Sequence, residues 1–187
     1  EDFTDGNAKF ISYTNVYLNP ALQIDVTDRV KISDSEKQRT LQYGDIIFTG
    51  SSETPNECGI SSVVTEKTDE KLYLNSFCFF FRFNDPSIMI PSFSKHLFRS
   101  NNLRSQISKT ANGVIRFNVS KKQMEKVVIP VPPIEIQQEI VSILDCFTEL
   151  ERELERELER ELERELERRR IQYTHYRDQL LNFNERK

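Results

Sequence analysis

Residues 130–148 read PVPPIEIQQEIVSILDCFT and residues 149–168 read ELERELERELERELERELER; together they decide the architecture of this chain. Proline lacks an amide donor and keeps its predecessor extended, yet it suits the first position of a helix. Pro130-Val131-Pro132-Pro133 is therefore a stiff hinge leading into one. Beyond it Ile136, Ile140, Ile143, Leu144, Phe147 and Leu150 recur at three- and four-residue intervals, the stripe of an amphipathic helix that must be covered. The unit Glu-Leu-Glu-Arg then repeats five times, placing Leu150, Leu154, Leu158, Leu162 and Leu166. Each unit turns a helix by about 400°, so the leucine stripe drifts by about 40° per unit instead of holding a strict heptad seam. Pairs such as Glu149 with Arg152 sit at i,i+3 and stiffen the rod.

Further on, Ile171, Tyr173, Tyr176, Leu180 and Leu181 widen the apolar face again, and Asn182-Phe183-Asn184 ends the helix. From Ile134 to Leu181 the rod would be about 72 Å long. A rod apolar at both ends cannot bury both on one small domain, and an antiparallel copy of itself is the simplest cover. The expected fold is α+β: a globular mixed α/β domain over residues 1–130, then a long C-terminal helix over 134–187 in an antiparallel coiled coil.

Upstream of the hinge the pattern is of short strands and helices. Ser33-Asp34-Ser35-Glu36 offers a capping-box start for a helix, and Tyr43-Gly44-Asp45 makes a turn into the strand Ile46-Ile47-Phe48. Phe77, Phe79, Phe81 and Phe83 alternate with Cys78, Phe80 and Arg82, the period-2 pattern of a mostly buried strand packed as plain core. Residues 92–107 look helical, with Phe93, Leu97 and Phe98 inside and Lys95, Arg99 and Arg104 open to solvent. Ala111-Asn112-Gly113 ends that segment, Val114-Ile115-Arg116-Phe117 reads as a strand, and Ser120 with Gln123 caps a further short helix.

The 187 residues include 37% hydrophobic side chains and 13 phenylalanines, enough for a real core. The net charge of −4 averages two unlike parts: residues 134–187 carry 15 acidic and 10 basic side chains, residues 1–133 carry 15 and 16. Residues 95–126 hold eight basic side chains against Glu125 alone, the one footprint suited to a polyanion. Cys58, Cys78 and Cys146 are widely spaced, which indicates neither disulfide framework nor zinc site and suits a reducing cytoplasm. No apolar run approaches a membrane span, so a cytoplasmic protein with no membrane partner is expected.

Catalytic signatures are missing. An adenine methyltransferase would carry D/N-P-P-Y/F and a glycine-rich cofactor turn, whereas here Val131 precedes Pro132-Pro133 and no G-x-G occurs. Glu66-Lys67, Asp69 and Glu70-Lys71 superficially resemble a nuclease cluster but read better as a solvated hairpin turn. His96 and His175 belong to no triad. Neither cofactor nor metal is expected, and no enzymatic activity. For DNA, Lys95, Arg99, Arg104, Lys109 and Arg116 could neutralise phosphates, Gln106 or Asn112 could read adenine edges, and Ser51, Ser52 and Thr54 in the loop after the strand Ile46-Phe48 form a second, weaker patch.

Three segments together resemble one family: LQYGDIIFTGSSETP from Leu41, ANGVIRFNVSKKQMEKVVIPVPPIEIQQEIVSIL from Ala111, and YRDQLLNF from Tyr176. They are similar to type I restriction-modification specificity subunits, and Pro132 to Ile140 is close to the motif that opens the conserved helix after each recognition domain there. The resemblance implies two recognition domains held apart on double-stranded DNA by paired antiparallel helices, each domain reading half of a split target. It also implies methyltransferase subunits as partners and, through them, restriction subunits. With one domain and one helix, this chain looks like a half-subunit, expected to act as a homodimer through Ile136, Ile140, Ile143, Leu144, Phe147, the five repeat leucines, Tyr173 and Leu180. A scaffolding protein whose head binds no DNA is the alternative.

Overall fold

The computed structural model describes residues 6–33 and 36–183. Its central strand is β3 (Ile46–Thr49), a run of β-branched and aromatic side chains buried on both faces. Period-2 alternation sends Ile47 into one core with Ile11, Val16, Leu22, Leu41, Val64 and Leu72, and Ile46 with Phe48 into a second core with Val63, Phe98, Leu103 and Ile107. Phe48 meets Phe79 at 5.5 Å and Phe98 edge-on at 5.6 Å between ring centres. The turn expected before β3 is present, with Gly44 at a φ of 89°.

Three small sheets surround this strand. In the first, β1 (Ala8–Ile11) lies between β2 (Arg29–Val30), antiparallel, and β6 (Leu72–Leu74), parallel. In the second, β3 lies between β5 (Ser61–Val63) and β7 (Cys78–Phe81), both antiparallel. In the third, β9 (Phe117–Val119) lies between β4 (Ser51–Ser52) and β8 (Ala111–Asn112). Gly50 links the last two: its amide donates to the Phe77 carbonyl at 2.6 Å and its carbonyl accepts from Val119 at 2.9 Å. The short helix α1 (Tyr13–Leu18) starts at Ser12, whose hydroxyl accepts from the Asn15 amide.

Several expectations are corrected. The segment 92–107 is two helices, α2 (Pro91–Leu97) and α3 (Asn101–Ser108), because Ser100 caps a fresh start by accepting from Leu103. The phenylalanine strand is half-buried, not core throughout: β7 pairs only with β3, and Phe77 and Phe81 are exposed. Val114, Ile115 and Arg116 stand in the loop of a β8–β9 hairpin, where the ladder has already ended at Asn112 and Asn118. The charged run at 66–71 connects strands of different sheets, with Glu70 paired to Lys9, and so forms no hairpin turn. At the anticipated capping box, Asp34 and Ser35 lie outside the described residues; Glu36 bonds back to Ser33, and residues 36–42 are not helical. The cap at Ser120 is present and opens α4 (Lys121–Met124).

The hinge leads into α5 (Ile134–Leu180), one unbroken helix of 47 residues, about 70 Å long. Its first two turns belong to a compact unit that ends at Val141, and Ser142 begins a second unit. Gln137 is fully buried in the first unit, where its side-chain amide bonds to Ile90, Ile88 and Pro132. From Leu150 to Leu166 the repeat leucines remain 50 to 67% exposed in the single chain. Among the described residues no helix is long and apolar enough to cross a membrane.

Candidate nucleic-acid interface

Arg116 is exposed at the β8–β9 hairpin beside polar and aromatic side chains. Its guanidinium donates to the Ser51 hydroxyl from Nε at 3.3 Å and Nη2 at 3.1 Å, and its centre lies 5.5 Å from the Phe77 ring. Pairing of β4 with β9 sets this geometry by placing Ser51 opposite Asn118 and Ser52 opposite Phe117. Ser51 is buried, and its carbonyl accepts from the Tyr13 hydroxyl at 2.9 Å. Tyr13, Ser51, Ser52, Glu53, Phe77, Ile115 and Arg116 line a cleft of about 450 Å³. A cation held over an aromatic ring is oriented while its outer N–H groups stay available, which suits a phosphate or a guanine edge.

A fixed negative charge borders the cleft. Glu57 accepts from Thr54 at 2.8 Å, from Tyr17 at 3.1 Å and from Ser52 at 3.2 Å. These hydroxyl donors, Thr54 foremost, hold the Glu57 carboxyl below its usual range, and the same bond raises the Tyr17 phenol. The Ser52 hydroxyl is thereby engaged within the protein.

The expectation that Arg99 and Arg104 are open to solvent is corrected by their partners. Arg99 donates to the carbonyls of Ser61 at 2.8 Å, Tyr17 at 3.0 Å and Val16 at 3.2 Å. Arg104 donates to the carbonyls of Asn56 and Cys58, both at 2.7 Å, and of Gly59. Burial lowers the pKa of both guanidiniums. Each rigid fork gathers carbonyls that no strand satisfies, a structural task that only tertiary contact assigns. Gly59, at a φ of 65°, adopts a conformation that side-chain-bearing residues rarely take, and a Cβ there would press on Ile107.

Gln106 is also diverted: its oxygen accepts from the Val128 amide at 3.0 Å and its nitrogen lies 3.4 Å from the Val128 carbonyl. Asn112 is exposed on β8, with its amide donating to Thr110 at 3.2 Å. Lys109 is exposed at the end of α3, and Lys95 lies on α2, which packs on β5 of another sheet. The fold therefore brings together Ser51, Ser52 and Asn112 on one small sheet with Arg116 in its hairpin loop, and gives Arg99, Arg104 and Gln106 to contacts within the fold. Sequence reading missed Tyr13, Phe77 and the 5.5 Å approach of Lys121 to the Phe79 ring. No local pattern signals contacts between residues so far apart in the chain.

Among the described residues no three of His, Cys, Asp and Glu are placed to hold a metal ion.

Comparison with known proteins gives these features a family. A model of the type I restriction modification DNA specificity domain matches residues 4–164, from the first strand through most of the repeat. Over 73 residues the chain is 51% identical to a Haemophilus influenzae protein that carries the name of a type I restriction enzyme specificity subunit. That alignment takes in 39% of this chain and 19% of the relative, so the chain spans a small part of its length. The S subunit of a type I restriction-modification system from M. genitalium matches with a TM-score of 0.48 and 16% identity, over 78% of this chain and 33% of that one. The chain belongs to the family of type I restriction-modification DNA specificity domains.

Proposed function

We propose that this chain is a non-catalytic specificity subunit that binds double-stranded DNA, reads one half of a bipartite target through residues 1–130 and positions methyltransferase subunits and, through them, restriction subunits. One observation carries the reading: the family match runs without a break from the mixed α+β domain into a helix whose leucine stripe is exposed in the single chain. A stripe from Ile143 to Leu166 and on to Leu180 needs a helical partner in water. A second copy, antiparallel, covers it with the same residues and relates the two domains by a two-fold axis. Two identical grips so related select an inverted repeat with a gap. In this reading Arg116, Asn112, Lys109 and Lys95 face the duplex, buried Ser51 orients Arg116, and Arg99, Arg104 and Gln106 serve the fold. The repeat helix sets the gap, since each Glu-Leu-Glu-Arg unit adds about 6 Å, close to two base pairs.

The test is selection of bound duplexes from a random pool by the purified full chain, with its mass measured in solution. A dimer that enriches a split, symmetric site supports the reading. A monomer overturns it, and a dimer that retains no duplex at low salt overturns it in favour of the coiled-coil scaffolding alternative.

A further inference from the structure

We infer that the tip of the β8–β9 hairpin, Val114 and Ile115, enters the major groove and reads the 5-methyl group of thymine. The inference rests on the DNA-binding reading above and adds a base-contacting element to it.

The tip breaks the ordinary chemistry of hairpin loops, which favour Gly, Asn, Asp and Ser. Val114 is 92% and Ile115 90% exposed, neighbours at the apex of a protrusion, although the cores beneath take other apolar side chains completely. Local rules are most often broken where function demands it. The tip is also tightly built. Gly113 has a φ of 152°, and a Cβ on it would collide with the Arg116 carbonyl, so the close turn requires glycine there, with residues 114 and 115 standing outward beyond it. Both side chains are β-branched and stiff at χ1, so little rotamer freedom is lost when they are covered.

The occupant follows from the surroundings. Arg116 flanks the tip, Lys109 precedes the hairpin, and Lys121, Lys122 and Lys126 follow it, against Glu125 alone between residues 109 and 126. Ile115 also lines the cleft that holds Arg116, Ser51 and Phe77. An apolar apex flanked by Arg116 on a basic stretch of sequence, beside a cleft whose lining acid is Glu53, fits a surface whose rim is anionic and whose floor carries methyl groups. The major groove of DNA is such a surface: it admits a two-stranded ribbon, and thymine projects its methyl group into it.

The experiment resynthesises the duplex selected by the full chain with deoxyuridine replacing each thymine in turn, which removes one methyl group and leaves base pairing intact. The wild-type chain is expected to bind about fourfold more weakly at one or two of these positions, the effect of leaving a single methyl unburied. A chain carrying Val114→Ser and Ile115→Ser should bind the thymine duplex more weakly, sense no difference at those positions and melt at the wild-type temperature. Isosteric Val114→Thr should keep part of the discrimination. Wild-type indifference to deoxyuridine at every position overturns the inference, as does a serine variant that still senses it, and in both cases DNA binding by the chain stands. A wild-type chain that retains no duplex overturns the DNA-binding reading itself and the inference with it.

Discussion

The amide of Ile90 donates a 2.8 Å hydrogen bond to the side-chain carbonyl of Gln137, 47 residues further along the chain. The Gln137 side-chain nitrogen completes the set by donating to the carbonyls of Pro132 at 2.8 Å and Ile88 at 2.9 Å, with the residue fully buried. One amide thus ties the first turn of α5 to the loop that enters α2. Gln137→Leu would leave the Ile90 amide and the Ile88 and Pro132 carbonyls, all partly buried, without this partner and should lower stability by about 1–3 kcal/mol. Exposed Gln138→Leu should change it by less than about 0.5 kcal/mol. Urea midpoints of the two variants check this, and equal midpoints would contradict the role of Gln137.

Arg104 and Arg116 should fail in opposite ways. Arg104→Ala removes the bonds to Asn56, Cys58 and Gly59 and should lower the melting temperature. Arg116→Ala removes an exposed cation and should leave melting nearly unchanged while weakening DNA binding and flattening its salt dependence by about one counterion. Thermal melts paired with salt titrations of binding separate the two effects.

Arg82 pairs with a fully buried carboxylate, its Nε and Nη2 each 2.6 Å from an oxygen of Asp45. Asp45 also accepts from the Gln42 amide at 2.7 Å, so the pair fixes the turn that starts β3. The bond to Asp45 raises the Arg82 pKa above its ordinary value. Arg82→Met strands the charge of Asp45 and should cost about 2–4 kcal/mol, less if water reaches the site from the partly exposed arginine side. Adding Asp45→Asn should recover part of that loss in a denaturation series.

The cysteines should differ in reactivity. Burial raises the Cys78 thiol to about 12, and it also raises Cys58, whose thiol donates to the Phe117 carbonyl at 3.1 Å. Both stay protonated near pH 8, whereas Cys146 is exposed on α5 in the single chain. A thiol reagent should label Cys146 in the folded protein before Cys58 and Cys78, which it should reach only on unfolding. Mass mapping of the labelled sites checks the order.

Deleting one Glu-Leu-Glu-Arg unit should keep the half-site sequence and alter the preferred gap by about two base pairs. Selection with the shortened chain measures it. An unchanged gap would show that the helix is not the ruler.

The proline run Pro130–Pro133, the continuous helix and the leucine stripe were legible in the residues because helical periodicity and proline geometry act over a few positions. So were the turn into Ile46 and the cap at Ser120. The break between α2 and α3 was missed: Phe93, Leu97 and Phe98 read as the inner face of one helix over residues 92–107, while the cap at Ser100 starts a second one. At the candidate interface, Arg116 and Ser51 were both named from sequence, but they are 65 positions apart and their contact depends on β4 pairing with β9.

By itself the sequence determined that a mixed domain is followed by a long, stiff helix with an apolar stripe, because patterns of charge, proline and hydrophobicity control local backbone geometry. Only the tertiary structure decided which cations face outward. Arg99, Arg104 and Arg116 are identical in charge and close in sequence, and their fates diverge on whether unsatisfied carbonyls from distant segments lie within reach. A guanidinium that meets buried carbonyls becomes part of the scaffold, and one that meets a hydroxyl and an exposed ring stays at the surface with donors to offer.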